Sequence, residues 1–243
     1  MPEGKIIKAL SGFYYVLGDE GIIQCRGRGV FRKNKVNPLV GDEVVYQAED
    51  KTDGYIMEVK KRKNELVRPP IANVDQAILV FSAAEPEFST ALLDRFLALI
   101  EFNHIAPLIC ITKLDLVDES GKNEIERYAA DYRNAGYEVL LTSSETKEGM
   151  EQLLPFLEGK ISVFAGQSGV GKSSLLNSIR PDLELKTNDI SQHLGRGKHT
   201  TRHVELIGIG QTGLVADTPG FSSLEFTEME APDLNFCFPE IAK

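Results

Sequence analysis

Cysteine is scarce in this chain: three in 243 residues, Cys25, Cys110 and Cys237, odd in number and far apart. That argues against a disulfide framework and fits a reducing cytoplasm, the expected location. Cys and His nowhere cluster at metal-ligand spacing. No apolar run approaches the ~20 residues needed to span a bilayer, so no membrane partner is expected. The opening MPEGKIIKALSG lacks an apolar core and a small-residue cleavage site, so it is not expected to act as a secretory signal. Internal repeats and low-complexity segments are lacking as well.

What remains is an ordinary globular composition, 42% hydrophobic and 26% charged, long enough for one mid-sized domain plus a small one. The net charge of -9 is unevenly spread. Residues 1–64 hold 12 Lys+Arg against 9 Asp+Glu, and the remainder 15 against 27. A mildly basic front on an acidic body suggests a surface that meets an anion, nucleic acid included. A chance excess of lysines around residues 60–63 accounts for the same count.

Residues 1–64 show five short strand-like runs, Lys5–Leu10, Phe13–Leu17, Gly21–Arg26, Asp42–Ala48 and Tyr55–Lys60, punctuated by glycines. That suits a small barrel of the OB type, with an SH3-like barrel as nearest competitor. Between strands lies RGRGVFRKNK, carrying Arg26, Arg28, Arg32, Lys33 and Lys35 with Phe31. Such a loop can track a phosphate backbone and stack on an unpaired base. Equally, it can be a solvated hairpin with Phe31 tucked into the barrel. Arg68-Pro69-Pro70 breaks regular structure and marks a boundary.

Beyond it, strands and helices alternate. Gln76–Ala83, Pro107–Thr112, Glu138–Thr142, Ser162–Ala165, Val204–Ile209 and Gly213–Ala216 read as strands. Helices are expected from a cap at Ser89 or Thr90, over Asn123–Asn134, over Met150–Leu157 and over Ser173–Ile179. The fold class is α/β, a doubly wound domain behind a small barrel. The expected division is a barrel at 1–64, a linker at 65–70, an α/β domain at 71–225 and a further region starting at 226.

The strand at Ser162–Ala165 delivers Gly166-Gln167-Ser168-Gly169-Val170-Gly171-Lys172-Ser173-Ser174 into a helix. This is the P-loop spacing in its required context: glycines let backbone N–H groups wrap phosphates, and the helix N-terminus adds favourable dipole charge. Lys172 is expected on the β- and γ-phosphates and the Ser173 hydroxyl on Mg²⁺. Downstream, Asp217-Thr218-Pro219-Gly220 closes an apolar strand. Asp217 is expected to hold the Mg²⁺ shell, and the Gly220 N–H to meet the γ-phosphate.

Ahead of the loop, a buried strand ends in Thr112-Lys113-Leu114-Asp115, which resembles the guanine-recognition motif N-K-x-D. The Asp would accept from guanine N1–H and N2–H₂, selecting GTP over ATP, and the Lys would stack over the base. Thr112 departs from the commoner Asn. After the next strand, Leu141-Thr142-Ser143-Ser144 resembles the motif that supports the base. GTPases ordinarily run phosphate loop first and base motif later; here the order is reversed, as in a circular permutation.

A barrel followed by a permuted GTPase resembles the ribosome small-subunit-dependent GTPase A family (RsgA). The resemblance covers essentially the whole chain, through E-P-x-F-S-T-x-L-L-D-R-F-L at Glu85–Leu97, the loop at Gly166–Asn177, R-G-K-H-T-T-R at Arg196–Arg202 and D-T-P-G-F at Asp217–Phe221. It implies an OB-fold domain contacting ribosomal RNA, GTP hydrolysis stimulated by the small ribosomal subunit, GTP/GDP and Mg²⁺ as ligands, and a role in late subunit maturation. It also implies a C-terminal Zn²⁺ domain, whose ligands do not occur before Lys243. A monomer is expected.

Phe221 follows D-T-P-G where Ras-like enzymes place a water-orienting Gln, so slow intrinsic turnover is expected. Residues 194–203 resemble a switch loop in which Thr200 or Thr201 completes the Mg²⁺ shell. His199 is a candidate for positioning water, since neutral imidazole can accept a proton. The alternative reading makes His199 and His203 surface histidines or RNA contacts, and by the same logic Arg196, Lys198 and Arg202 can serve as phosphate or RNA contacts. Two other functions compete: a GTP-switched RNA-binding module without hydrolysis, and an ATP-dependent phosphotransferase, which leaves T-K-L-D without a purpose.

Overall fold

The computed structural model describes residues 1–29, 31, 36–67, 69–183, 204–217 and 231–238. Strands β1 (Glu3–Leu10), β2 (Phe13–Gly18), β3 (Gly21–Gly27), β4 (Glu43–Ala48) and β5 (Gly54–Val59) follow the expected runs closely. They pair in the order β1-β2-β3-β5-β4, and β4 returns to β1, closing a five-stranded barrel of the OB type. Period-2 alternation sorts the side chains. Val16, Ile23, Cys25 and Ile56 fill the interior, while Phe13, Tyr15, Leu17, Gln24, Arg26 and Tyr55 alternate with them on the outside.

The stretch around Pro69 and Pro70 turns between two short paired strands, β6 (Glu65–Leu66) and β7 (Ile71–Ala72). Leu66, Ile71 and Val74 carry the barrel core without interruption into that of the second region. Asp42 was expected to begin a strand; instead it lies before β4, fully buried and bound by both carboxylate oxygens to Arg62 at 2.7 Å each. Arg62 also reaches Glu65 at 2.5 Å and the Asn37 carbonyl at 2.7 Å. One guanidinium thus pins the barrel's β3–β4 connection to the chain that leaves the barrel.

The second region runs β8 (Gln76–Ser82), α1 (Thr90–Phe102), β9 (Ala106–Thr112), α2 (Glu119–Ala135), β10 (Glu138–Leu141), α3 (Leu154–Leu157), β11 (Ile161–Ala165), α4 (Lys172–Ile179), β12 (Glu205–Ile209) and β13 (Gly213–Asp217). Ser89 caps α1 by accepting from the Leu92 N–H at 3.3 Å. Asp118 caps α2 through Gly121 at 2.8 Å, so that helix begins four residues before the expected Asn123. The helix expected over Met150–Leu157 is instead a 3-10 turn at Met150–Gln152 followed by the single turn of α3. Pro155 explains the break, because proline has no N–H to continue an incoming helix but suits a helix's first turn.

The strand order is β10-β9-β8-β11-β13-β12, all parallel except the β12–β13 hairpin. Alternate residues of β8 feed two cores: Leu79 and Phe81 join α1 and α2, Ile78 and Val80 join α3 and α4. This is the expected α/β layering with helices on both faces. At its edge the sheet continues into the barrel, for β1 pairs with β12 through Lys8 and Glu205, whose side chains form an ion pair at 2.8 Å. Among the described residues, no helix is long and apolar enough to cross a membrane.

Candidate nucleotide site

Strand β11 lies between β8 and β13, so the loop it delivers opens at the carboxyl edge of the parallel sheet. That edge is where α/β sheets bind ligands. Gly166, Gly169 and Gly171 all have positive φ, at 145°, 83° and 96°. At Gly166 a Cβ would also collide with the Val80 carbonyl, so only glycine fits there. Gly171 precedes α4, leaving the first N–H groups of that helix directed into the loop. Val170 points inward and is fully buried, so its contribution to any ligand is by backbone. Gln167 is half-buried, and Ser168 is exposed at the loop tip.

Lys172 opens α4 and folds across the loop, donating to the carbonyls of Gly166 at 2.8 Å and Gln167 at 2.6 Å. It is 8% exposed, and burial pulls its pKa down to about 8. Among the described residues it meets no carboxylate, and a buried ammonium so placed suits an anion. Ser173 follows it in the same turn, also buried, with Ser174 half-buried beside it.

The base motif converges on this loop from the neighbouring strand. Thr112 ends β9, 2% exposed, and its hydroxyl lies 2.5 Å from the Val170 carbonyl and 3.1 Å from that of Phe81. The departure from Asn therefore has a local purpose. The hydroxyl clasps the phosphate loop to β8 and β9 and does not face out toward a base. Lys113 takes a left-handed backbone, φ 61°, and its ammonium donates to the Glu85 carbonyl at 2.5 Å. Leu114 turns into the core. Asp115 is exposed, and one of its oxygens accepts from the buried Ser143 hydroxyl at 2.5 Å. Ser143 in turn accepts from the Thr146 N–H at 3.1 Å, and Ser144 is half-buried next to it. The two sequence motifs thus meet as one unit, with Ser143 aiming the Asp115 carboxylate.

One participant was not assigned a role from sequence. The turn Glu85–Pro86 borders both halves of the site, receiving Lys113 and passing within reach of the phosphate loop at Gly169. E-P-x-F-S-T was visible as a motif, but nothing in its spacing announces this placement.

Asp217 ends β13, which pairs in parallel with β11. Gly220, Phe221, His199, Thr200, Thr201, His203, Arg196, Lys198 and Arg202 lie outside the described residues, as do Arg32, Lys33 and Lys35. On the barrel, Arg26 and Arg28 are exposed. Phe31 is not: it is 9% exposed and belongs to the barrel core. Its ring is unavailable for stacking, so the tucked alternative describes it. Cys237 is buried against the Asp233 carbonyl. Among the described residues no group of three or more His, Cys, Asp or Glu side chains is disposed to hold a metal ion.

A phosphate loop, a guanine-type motif and a strand order entered at a different point define a circularly permuted P-loop GTPase. The RsgA GTPase model matches residues 59–227, and the RsgA N-terminal domain model matches residues 3–56. The chain belongs to the RsgA GTPase family and is a GTP hydrolase. It is 70% identical over 241 residues to the small ribosomal subunit biogenesis GTPase RsgA of Bacillus cereus (strain ATCC 10987), covering 99% of this chain and 82% of that one. With the protein of the same description from Bacillus subtilis (strain 168) the identity is 65% over 246 residues, with the same coverage. Among solved structures it resembles YloQ, described as a circularly permuted GTPase, at 59% identity and a TM-score of 0.84, covering 100% of this chain and 79% of that one. YjeQ from Thermotoga maritima aligns at 39% identity and a TM-score of 0.87, covering 98% and 82%.

Proposed function

We propose that the chain binds the small ribosomal subunit, assists its late maturation in the cytoplasm, and hydrolyses GTP to GDP and phosphate when the subunit activates it. The relatives described as small ribosomal subunit biogenesis GTPases support it, at 65–70% identity over nearly the whole chain. The observation that carries the nucleotide assignment is the Ser143–Asp115 contact at 2.5 Å beside the Thr112 clasp on the phosphate loop. Residues far apart in sequence thereby make one GTP site despite the reversed order.

In this site Asp115 accepts from guanine N1–H and N2–H₂, held in aim by Ser143, while Lys113 covers the base and Ser144 lies beside it. Adenine offers a bare N1 to the same carboxylate and is refused. The N–H groups of Gly166 through Ser174 cradle the phosphates, and Lys172 exchanges its loop carbonyls for β- and γ-phosphate oxygens. The donor set suits Mg²⁺: Ser173 brings a hydroxyl, Asp217 a carboxylate from the strand paired with β11, and Thr200 or Thr201 another hydroxyl, all hard oxygens. Held by these residues, Mg²⁺ would supply charge neutralisation at the phosphate oxygens. Gly220 offers an N–H to the γ-phosphate. His199 holds and deprotonates the attacking water, since Phe221 can do neither. The barrel, with Arg26 near the end of β3 and Arg28, Arg32, Lys33 and Lys35 following it in sequence, faces ribosomal RNA. The protein acts as a monomer.

The test is GTP hydrolysis by the purified chain, alone and with small ribosomal subunits, with ATP as control. Stimulation with GTP only is expected, and loss of the stimulated rate in His199→Ala. Equal rates with ATP would overturn the base assignment, and a GTP rate unmoved by the subunit would overturn the partner.

A further inference from the structure

The geometry points to Phe88 as a positioning residue for the guanine nucleotide, acting on Lys113 through the Glu85–Pro86 turn. This rests on the base assignment proposed above and names a residue outside it that sets its affinity. The segment between β8 and α1 is tied at both ends. At its start the Ala83 N–H donates to the Thr112 carbonyl at 2.8 Å, and the Ala84 N–H to the Ser82 hydroxyl at 3.1 Å. At its end Ser89 caps α1. Between these ties the Glu85 carbonyl accepts from the Lys113 ammonium at 2.5 Å. A side chain at Gly169 would touch Pro86 at 4.0 Å, so the turn also abuts the phosphate loop.

Phe88 anchors this turn from one side. Its ring stacks on Tyr128 of α2, with centroids 5.4 Å apart and planes at 26°, and meets Phe81 of β8 edge-on at 6.1 Å. Phe81 packs edge-on against Phe96 of α1 at 5.6 Å, so a run of rings ties the turn to both helices. Phe81 and Phe96 are buried, whereas Phe88 is half-buried and lies at the margin of the core. Lys113 is held at both ends. Its backbone is left-handed, φ 61°, and its ammonium rests on the Glu85 carbonyl. The stem between these holds is the part that covers the base. A free lysine stem loses rotamer freedom when it is laid flat on a ligand. One held beforehand loses less, and the difference appears as affinity. Removing the Phe88 ring frees the turn, and with it the carbonyl that holds the stem. The phosphates and their ligands lie at the other end of the nucleotide, so binding changes and turnover does not.

The test is fluorescence titration with labelled GDP and a labelled non-hydrolysable GTP analogue, read without ribosomal subunits. Phe88→Ala should weaken both by about tenfold. Phe88→Tyr keeps the ring and should bind as the wild type does. Phe88→Leu keeps apolar cover but loses the stack, so it should weaken binding too, which guards against a misfolded alanine variant. Thermal midpoints check the fold. In a Lys113→Ala background, Phe88→Ala should cost about twofold or less, because the contact it serves is already gone. In hydrolysis stimulated by small subunits, Phe88→Ala should raise KM and leave kcat within about twofold. Wild-type affinity in Phe88→Ala would overturn the inference and leave the base assignment standing. So would an equal loss in both backgrounds, which is what general loosening of the fold gives, or a fall in kcat at unchanged KM. Wild-type affinity in Lys113→Ala would strike the base assignment itself, and the inference with it.

Discussion

The nucleotide site and the barrel are built from opposite materials. In the first, the backbone does the work. Three glycines at positive φ shape the loop, a buried lysine crosses it, and a threonine hydroxyl locks it to the next strand. In the second, a closed barrel sorts its side chains by strand alternation into a buried interior and an outward surface. A site made of backbone tolerates few residues at each position. A site made of outward side chains tolerates many, and its meaning depends on which strands become neighbours.

That contrast predicts unequal sensitivity. The largest effect belongs to Asp115→Asn. It replaces an acceptor with a donor facing guanine N1–H or N2–H₂, and GTP affinity should fall ~10³-fold or more. Xanthosine triphosphate, with a carbonyl in place of the amino group, should partly recover binding in the same titration. If GTP affinity barely moves, Asp115 is not the base contact.

Asp42→Asn attacks the barrel's equivalent anchor. It leaves Arg62 half-paired against a fully buried site, and breaking a buried pair costs about 3–5 kcal/mol. Chemical denaturation should register that loss, with nucleotide affinity of the folded fraction unchanged. A shift of similar size in nucleotide affinity would mean that the two regions are not energetically separate.

Thr112→Val is intermediate. It leaves the buried carbonyls of Val170 and Phe81 without the hydroxyl, a cost of about 1–3 kcal/mol. GTP and GDP affinity should fall together by about tenfold, and Thr112→Ser should restore both. A change confined to base selectivity would instead place Thr112 at the guanine.

Lys172 adds a pH dependence. Burial lowers its pKa to about 8 in the free chain, and a bound phosphate raises it again. The bound state then holds more protons above about pH 8, so GTP affinity should be flat below that pH and fall above it, by up to about tenfold per unit. Calorimetry in two buffers would show proton uptake on binding at pH 9 and little at pH 7.

The smallest effect concerns the seam. Lys8 and Glu205 are each partly exposed, so a double-mutant cycle should return less than ~1 kcal/mol, diminishing with salt. The position matters more than the energy. Glu205 lies opposite both Lys8 of the barrel and Asp217 at the end of β13. A larger coupling when GTP is bound would show that the seam reports nucleotide state.

Residue order and chemistry were enough to establish the class of fold, the phosphate loop, the guanine-type motif and the reversed order in which they occur. Each rests on short-range demands: glycine where φ is positive, an apolar run where a strand is covered on both faces, a cap where a helix begins. Long-range placement needed coordinates. Phe31 turning inward, Thr112 clasping Val170, Asp42 pairing with Arg62, and β1 joining β12 each depend on segments separated by tens to hundreds of residues. Pro155 could have been read as a break; that the chain resumes as one helical turn depends on the core it meets. Local sequence constrains which conformation a residue adopts. It does not say which partner will be waiting, because that is set by the packing of the whole chain.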